Sequence, residues 1–515
     1  MTAAPSDQCS RQVSLSLTAC AFGRRALLAG RTQGRRAVRL SAVALLTMVV
    51  FWPTLQNGFL SLGFDDGLIL DTPAIRAISW ANIRALATEF NHAHFVPLTM
   101  LSFAVDYRLW GLDPVAYHRT NILTHAATAV LFCIFLWPLV PSPRVAVLAA
   151  MIFAVHPVQM EAVSLAVQRK TLLSGALYFA TLILYQRWCR TQRWRAYALC
   201  VAAFIAAALA KPAVVTLPLL LMLYDMVFGS GRARVAEKLP FFAVAIGATV
   251  MAMRAHAAVG ALNPPHGGNM FANMLLMSRV FLEYIDALFL PVNLSPIYYY
   301  PREAVYAPVN FCALAAIVAL SLLVTCHRPH RWSFFCFWWF LLALLPESNL
   351  VPLAQLRADR FLYLAVAAFA VWVALGVERI RAELPERWGS FGARLLGPAI
   401  VGTLAVGCSA SAGVWRDDVT AWRRVVERHP WAPVAYTMLG RADYERQDYV
   451  SAEQALQQAL RLKPDPDAHR YLAKVYAASG RADLAEVHLR HLLQLAPADE
   501  EALDLLTPLC RVNGD

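Results

Sequence analysis

The chain has 515 residues, of which 58% are hydrophobic, and its mean hydropathy is +0.48; a soluble domain is usually about 45–50% apolar. The net charge is +12, which in a soluble chain would raise nucleic acid as a partner. Here the basic residues stand in short loops flanking apolar runs, the positive-inside pattern of a polytopic membrane protein, so nucleic acid is excluded and membrane lipid is the expected surround. Ten cysteines are scattered without CxxC spacing, most of them inside apolar runs, and read as small buried hydrophobes rather than a disulfide or metal framework.

Residues 1–37 are polar and Arg-rich, and a long apolar run follows at 38–56. The run has no A-x-A site after it and further spans beyond it, so it reads as a first transmembrane helix behind a cytoplasmic tail rather than a signal peptide. A helix needs about 20 apolar residues to cross a bilayer core of roughly 30 Å. Candidate spans follow at 120–139, 144–163, 171–187, 196–210, 213–228, 239–257, 307–325, 332–346, 360–377 and 394–412. Arg35, Arg36 and Arg39 put the N-terminus inside. Arg187 to Arg195, Arg232 to Lys238, Arg328 with Arg331, and Arg379 to Arg394 mark further inside loops. Alternation then holds if the amphipathic segment 276–291, with Arg279, Glu283 and Asp286, lies at the interface or re-enters, because charges are costly in lipid. That gives eleven spans with the C-terminus outside; a twelfth span would put it in the cytoplasm.

The first outside loop, 57–119, carries Gly63-Phe64-Asp65-Asp66-Gly67. Asp and Gly suit a solvated turn. Two carboxylates beside a membrane, roofed by amphipathic stretches at 78–88 and 98–110 that could lie on its surface, also suit a general base for an acceptor hydroxyl or a divalent metal bridging a phosphate. Alternation puts Glu161, Arg169, Lys170, Lys211, Arg357, Asp359 and Arg360 at span ends on the same side. Arg meets phosphate with a planar fork and Lys with a point charge, so this side offers clamps for a phosphate-bearing lipid. His92, His94, His118, His125 and His156 match no zinc-site spacing.

Residues 414–515 read as a soluble helical domain. Leu439–Pro464 aligns with Leu472–Pro497 at a 33-residue offset, pairing Gly440 with Ala473, Ala452 with Ala485 and Leu456 with Leu489. This is the tetratricopeptide (TPR) helix–turn–helix pattern, with units at about 433–464 and 466–497 and half-units at either flank capping the stack.

Several motifs together resemble one family, the transmembrane and TPR-containing protein O-mannosyltransferases. In chain order they are Asn57-Gly58-Phe59 with Asp65-Asp66; Gly111-Leu112-Asp113-Pro114 with Tyr117-His118, Asn121 and His125; and Phe153-Ala154-Val155-His156-Pro157 with Glu161-Ala162-Val163. Arg169-Lys170, Leu173-Ser174-Gly175, Lys211-Pro212, Leu217-Pro218, Tyr224-Asp225, Asn293-Leu294-Ser295 and Ala358-Asp359-Arg360 with Tyr363-Leu364 follow. Phe95-Val96-Pro97-Leu98 lacks the family's Arg, and Gln168-Arg169-Lys170-Thr171 lacks two of its acids. The resemblance implies an all-α fold: a GT-C-type membrane bundle over 38–413, then the TPR domain at 414–515. It implies a bacterial inner-membrane glycosyltransferase moving a sugar such as mannose from a polyprenyl-phosphate carrier to an acceptor hydroxyl, on protein Ser or Thr, at the periplasmic face. Asp65, supported by Asp66, would be the catalytic acid–base. Arg169, Lys170, Lys211, Arg357, Asp359, Arg360, His156 and Glu161 would surround the carrier phosphate, and the TPR units would dock the acceptor protein or a partner. No protein metal ligands are implied, and a divalent metal stays open. The rival readings are a non-catalytic membrane-anchored TPR scaffold and a ligase for lipid-linked oligosaccharide.

Overall fold

In lipid every backbone N–H and C=O must be satisfied within the chain, so a long apolar run crosses as helix. The computed structural model describes residues 33–229, 234–261, 264–301, 305–327, 330–351, 355–383 and 392–512, and among them it is all helix and turn, with one isolated bridge between Asn91 and His94. Most of the Arg-rich tail, and loop residues Arg232, Arg328 and Arg387, lie outside the described residues.

Helix α1 (Gln33–Gln56) leads into the first loop, which holds α2 (Trp80–Thr88) and α3 (Pro97–Trp110). The body then runs through α4 (Pro114–Leu136), α5 (Pro143–Val155), α6 (Met160–Ser164), α7 (Arg169–Thr191), α8 (Trp194–Ala210), α9 (Leu217–Phe228) and α10 (Leu239–Ala258). It finishes with α11 (Met270–Phe289), α12 (Pro308–His327), α13 (Arg331–Leu344), α14 (Ala365–Glu383) and α15 (Gly392–Ala410). Among the described residues five helical stretches are long and apolar enough to cross a membrane: Gln33–Gln56, Pro114–Leu136, Val235–Ala258, Pro308–His327 and Arg394–Trp415. The chain is a multi-pass membrane protein. The other expected spans fall on helices that are shorter or more polar. The expected span at 144–163 is broken, with α5 and the following segment bent by 53° at His156-Pro157; proline lacks an N–H and drives the preceding residue out of the helical region. Segment 276–291 falls on α11 up to Phe289, one unbroken helix whose Arg279 and Glu283 pair one turn apart.

The core of the body is aromatic. Phe132, Phe153, Phe179 and Trp339 are fully buried, with the Phe132 and Phe179 rings 4.9 Å apart. Gly175 has no side chain because Tyr363 occupies the space: a Cβ there would stand 2.6 Å from the Tyr363 ring. That approach lets the Tyr363 hydroxyl meet His125 Nδ1 at 2.9 Å.

The two ends of the body differ. At one end the Arg36 and Arg39 guanidiniums lie over Trp137, and Arg234 lies over Trp188. At the other end lies the first loop, and against it the C-terminal helices α16 (Asp418–Arg428), α17 (Pro433–Glu445), α18 (Tyr449–Leu462), α19 (Pro466–Ala478), α20 (Ala482–Leu495) and α21 (Glu500–Val512). Pro433 and Pro466 each open a helix, where their missing N–H costs nothing. Gly440 sits where a Cβ would be 2.5 Å from Leu456, and the matching Ala473 packs with Leu489 and Leu492. The Gly58 amide donates to the Arg416 carbonyl at 3.0 Å, so the first loop and the C-terminal helices are on the same side of the membrane.

Candidate active site

Asp65 ends a tight turn. Gly63 takes the left-handed conformation (φ +83°) that favours glycine, and the Asp65 amide closes back on the Leu60 carbonyl at 2.6 Å. The carboxylate has no exposed surface. One oxygen accepts from the Val167 amide at 2.8 Å and the other from the Leu60 amide at 3.2 Å. Burial pushes its pKa up to about 7, against the lowering effect of these amides, and the Asp418 carboxylate adds to the rise. Asp66 begins a short π-helical stretch, Asp66–Leu70; its side chain lies outside the described residues.

Next to the turn is a cluster of cations. The Lys170 ammonium, within electrostatic reach of Asp65, meets His94 Nε2 at 3.1 Å. His94 is delivered by a turn in which His92 and Ala93 both have positive φ (43° and 64°), an uncommon state for residues with a Cβ. The charge on Lys170 and the burial of the ring hold the His94 pKa well below the usual histidine range, with His256, Lys211 and Arg360 contributing. His94 therefore stays neutral and can accept from Lys170. The Lys211 ammonium pairs with Glu347 at 3.1 Å and lies over the Phe361 ring. Arg360 ion-pairs with Glu161 and reaches Gln355, while its backbone amide also donates to Glu161 at 2.8 Å.

A second polar cluster continues from Glu161. Arg357 pairs with Glu283 at 2.8 Å and lies 4.0 Å over the Tyr298 ring. The Tyr298 hydroxyl donates to Asp359 at 2.7 Å. Burial raises the Asp359 carboxyl to about 7, with Glu161 adding to the rise and Arg357 opposing it. Glu161 and Asp359 line a small cavity of about 50 Å³ together with Ser411, Trp415 and Arg424.

The structure gives two expected phosphate ligands other partners. Arg169 points into the body, where it pairs with Asp106 and donates to Asn121 at 3.0 Å and to the Tyr117 carbonyl at 3.0 Å; its donors are committed. His156 is fully buried at the α5 break, with Nε2 at 3.0 Å from the Leu288 carbonyl and Nδ1 accepting from the Val158 amide. It caps the turn after the kink. Lys170, Lys211, Glu161 and Arg360 do come together, and Arg357 and Asp359 stand beside them. His94, His256, Glu347, Glu283 and Asp418 join the site without having been singled out for it, because only tertiary packing brings them there. Among the described residues no three His, Cys, Asp or Glu side chains form a group that could hold a metal.

No family model matches the chain. Among curated proteins, Protein O-mannosyl-transferase Tmtc1 of Drosophila melanogaster is 31% identical over 203 residues, covering 38% of this chain and 23% of that protein. The human Protein O-mannosyl-transferase TMTC3 is 32% identical over 164 residues, covering 29% and 17%. The Drosophila Tmtc3 is 23% identical over 522 residues, covering 84% of this chain and 56% of that protein. The chain thus spans about a quarter or less of the first two relatives and a little over half of the third. Two solved structures are similar at a TM-score of 0.40. One is an Archaeoglobus fulgidus oligosaccharyltransferase tethered with an acceptor peptide, at 12% identity over 84% of this chain and 59% of that one. The other is ArnT from Cupriavidus metallidurans bound to undecaprenyl phosphate, at 17% identity over 88% and 79%. Over these stretches the sequence is similar to protein O-mannosyl-transferases.

Proposed function

We propose that the protein is a membrane glycosyltransferase of GT-C type that moves one sugar from a polyprenyl-phosphate carrier to an acceptor hydroxyl on protein Ser or Thr. The observation that carries this is the buried Asp65 carboxylate within electrostatic reach of Lys170, which itself has Lys211 and Arg360 as neighbouring cations. In the reaction Asp65 takes the acceptor proton as the hydroxyl oxygen bonds to the anomeric carbon. The bond from that carbon to the carrier phosphate breaks on the opposite face, so configuration inverts. The electron pair leaves with the phosphate, and Lys170, Lys211 and Arg360 stabilise its added charge in a site partly closed to water. Glu161 and Glu347 hold Arg360 and Lys211 in place until the phosphate arrives. Arg357 and Asp359 border the sugar.

The Arg-bearing end of the body faces the cytoplasm under the positive-inside rule, which puts Asp65 and the C-terminal helices in the periplasm of a bacterial inner membrane. The two C-terminal hairpins have the TPR design and would present the acceptor protein. A scaffold reading leaves the buried Asp65 and its cationic neighbours without a use. The test is reconstitution of the full chain into liposomes with synthetic polyprenyl-phosphate mannose and a Ser/Thr-rich peptide. One added hexose on the peptide supports the reading. No transfer from any of a panel of polyprenyl-phosphate hexoses overturns it.

A further inference from the structure

Helix α16 begins with two aspartates that do different jobs. Asp417 caps its own helix, accepting from the Thr420 amide at 2.9 Å while the Thr420 hydroxyl accepts from the Asp417 amide. Asp418, the next residue, is therefore not needed as a cap. Its carboxylate reaches across to the first loop, where one oxygen accepts from the Ser61 amide at 3.1 Å and the Ser61 hydroxyl at 3.0 Å, and the other from the Leu62 amide at 3.1 Å. Two further contacts tie the same short stretch to the C-terminal side: the Gly58 amide on the Arg416 carbonyl, and Phe64 packed between Trp415 and Trp422 at 6.1 and 5.8 Å. The far end of the stretch is Asp65 itself, closed back on Leu60.

We infer that Asp418 is a positioning residue for the acidic turn, through which the C-terminal helical module sets where Asp65 stands and how readily the turn opens. The inference rests on the reading of Asp65 as the base. It needs no new contact with substrate. The stretch is anchored on two sides: on the membrane body by the Val167 amide on Asp65, the His118 ring against the Gly58 carbonyl and Leu60 buried in the core, and on α16 and the segment leading into it by the contacts above. A protein bound along the module that shifts α16 moves Ser61 and Leu62 with it, and Asp65 follows at the other end of the turn. Chemistry at the membrane surface would then respond to what the repeats hold.

Electrostatics give a signature that a merely structural contact lacks. Asp65 is faced by Lys170 and Asp418. Asp418 is faced by Asp65 and by Glu445, and the neighbouring Asp417 is paired with Arg446. Removing the Asp418 charge takes a like charge away from Asp65, so Asp65 should release its proton at lower pH.

The test uses the full chain in liposomes, comparing wild type with Asp418→Asn and with the milder Ser61→Ala, which deletes one bond and keeps the charge. Hydrogen exchange of the peptide covering residues 58–66 is read by mass spectrometry, and mannosyl transfer is read across pH. Asp418→Asn is expected to speed exchange in that peptide on the order of tenfold, the equivalent of losing one charge-assisted hydrogen bond. It should also move the acid limb of the pH–rate profile to lower pH. Ser61→Ala should speed exchange less and leave the limb in place. Unchanged exchange overturns the inference, and so does faster exchange with an unmoved limb. Should no variant or wild type transfer sugar, the functional reading fails by itself, and the exchange measurement still decides whether Asp418 holds the turn.

Discussion

Asp65→Asn separates the proposed chemistry from the architecture. General-base assistance is worth about 10²–10⁴-fold, or roughly 3–5 kcal/mol of barrier at about 1.4 kcal/mol per tenfold. Transfer by Asp65→Asn should fall by that factor. In wild type the rate should climb about tenfold per pH unit as Asp65 ionises, and level off above about 7. Stability should move in the opposite direction. The folded pKa is raised above the unfolded value of 3.8, so the contribution is fully present below that value and is lost as pH rises through about 7. With the carboxyl fully buried, the loss is on the order of 4 kcal/mol for a shift of about three units. Asn accepts one of the two amides and presents an N–H₂ to the other, at a cost of about 1–3 kcal/mol at every pH. The variant should therefore melt below wild type at pH 5, and the gap should close or reverse by pH 8. The assays are mannosyl transfer in liposomes and thermal melting of purified protein at the two pH values. Undiminished transfer in the variant, or an acid limb near pH 4, would refute the role.

Other outcomes follow from the same geometry. Lys211→Gln should raise KM for the polyprenyl-phosphate donor about tenfold, the scale of one charge-assisted contact, while acceptor KM holds; a double change with Glu347→Gln should cost less than the sum, because the pair is coupled. Arg169→Ala strands the buried Asp106 and should cost about 3–5 kcal/mol of stability, read as a lower melting temperature with donor KM unchanged in the protein that remains folded. Gly440→Ala places a methyl against Leu456 and should cost about 1–3 kcal/mol in the C-terminal module, measurable by its early melting or its faster hydrogen exchange. Cysteine tags placed at Asp113 and near the C-terminus should be labelled by the same impermeant reagent, since the Gly58–Arg416 and Ser61–Asp418 contacts hold both on one side.

Arg169 and Lys170 show how far a sequence can be read and where it stops. Both are cations at a span end, and charge and side of the membrane treat them alike. They are successive residues at the start of a helix, though, and so point about 100° apart. One faces α3, where Asp106 comes from an element more than sixty positions earlier in the chain; the other faces His94 and the site. No local pattern reveals which cation a distant carboxylate has already taken. His94 was invisible for the same reason: its spacing to other histidines carries no signal, and its neighbour is a lysine from another helix. What is local was legible. The 33-residue offset returns as two hairpins opened by Pro433 and Pro466, and the helix-like stretches of the first loop return as α2 and α3, although α3 buries Met100, Phe103 and Asp106 in the body rather than lying on its surface. The break at His156-Pro157 was legible in principle, because proline forbids the continuous span that apolarity alone suggests.

The sidedness of the C-terminal module shows local and tertiary signals working on one question. Loop charges favoured an outside C-terminus but depended on how segment 276–291 was counted: an interfacial segment gives an odd number of spans, and a crossing one an even number. The contact of Asp418 with Ser61 and Leu62 puts the module on the side of the first loop without counting, because a module that bonds the loop after the first helix shares that loop's side however many times the chain crosses in between. An odd number of crossings must then separate the N-terminus from the module. Among the described residues five helical stretches qualify by length and composition, and the shorter or more polar helices that complete the bundle must add an even number. Helix α11 belongs to that remainder, and its Glu283 is held by Arg357, Arg279 and Tyr300 rather than left to face lipid. The same pairing that makes α11 tolerable at the membrane ties its carboxylate through Arg357 to the cluster of Tyr298 and Asp359, so α11 also helps build the proposed sugar site.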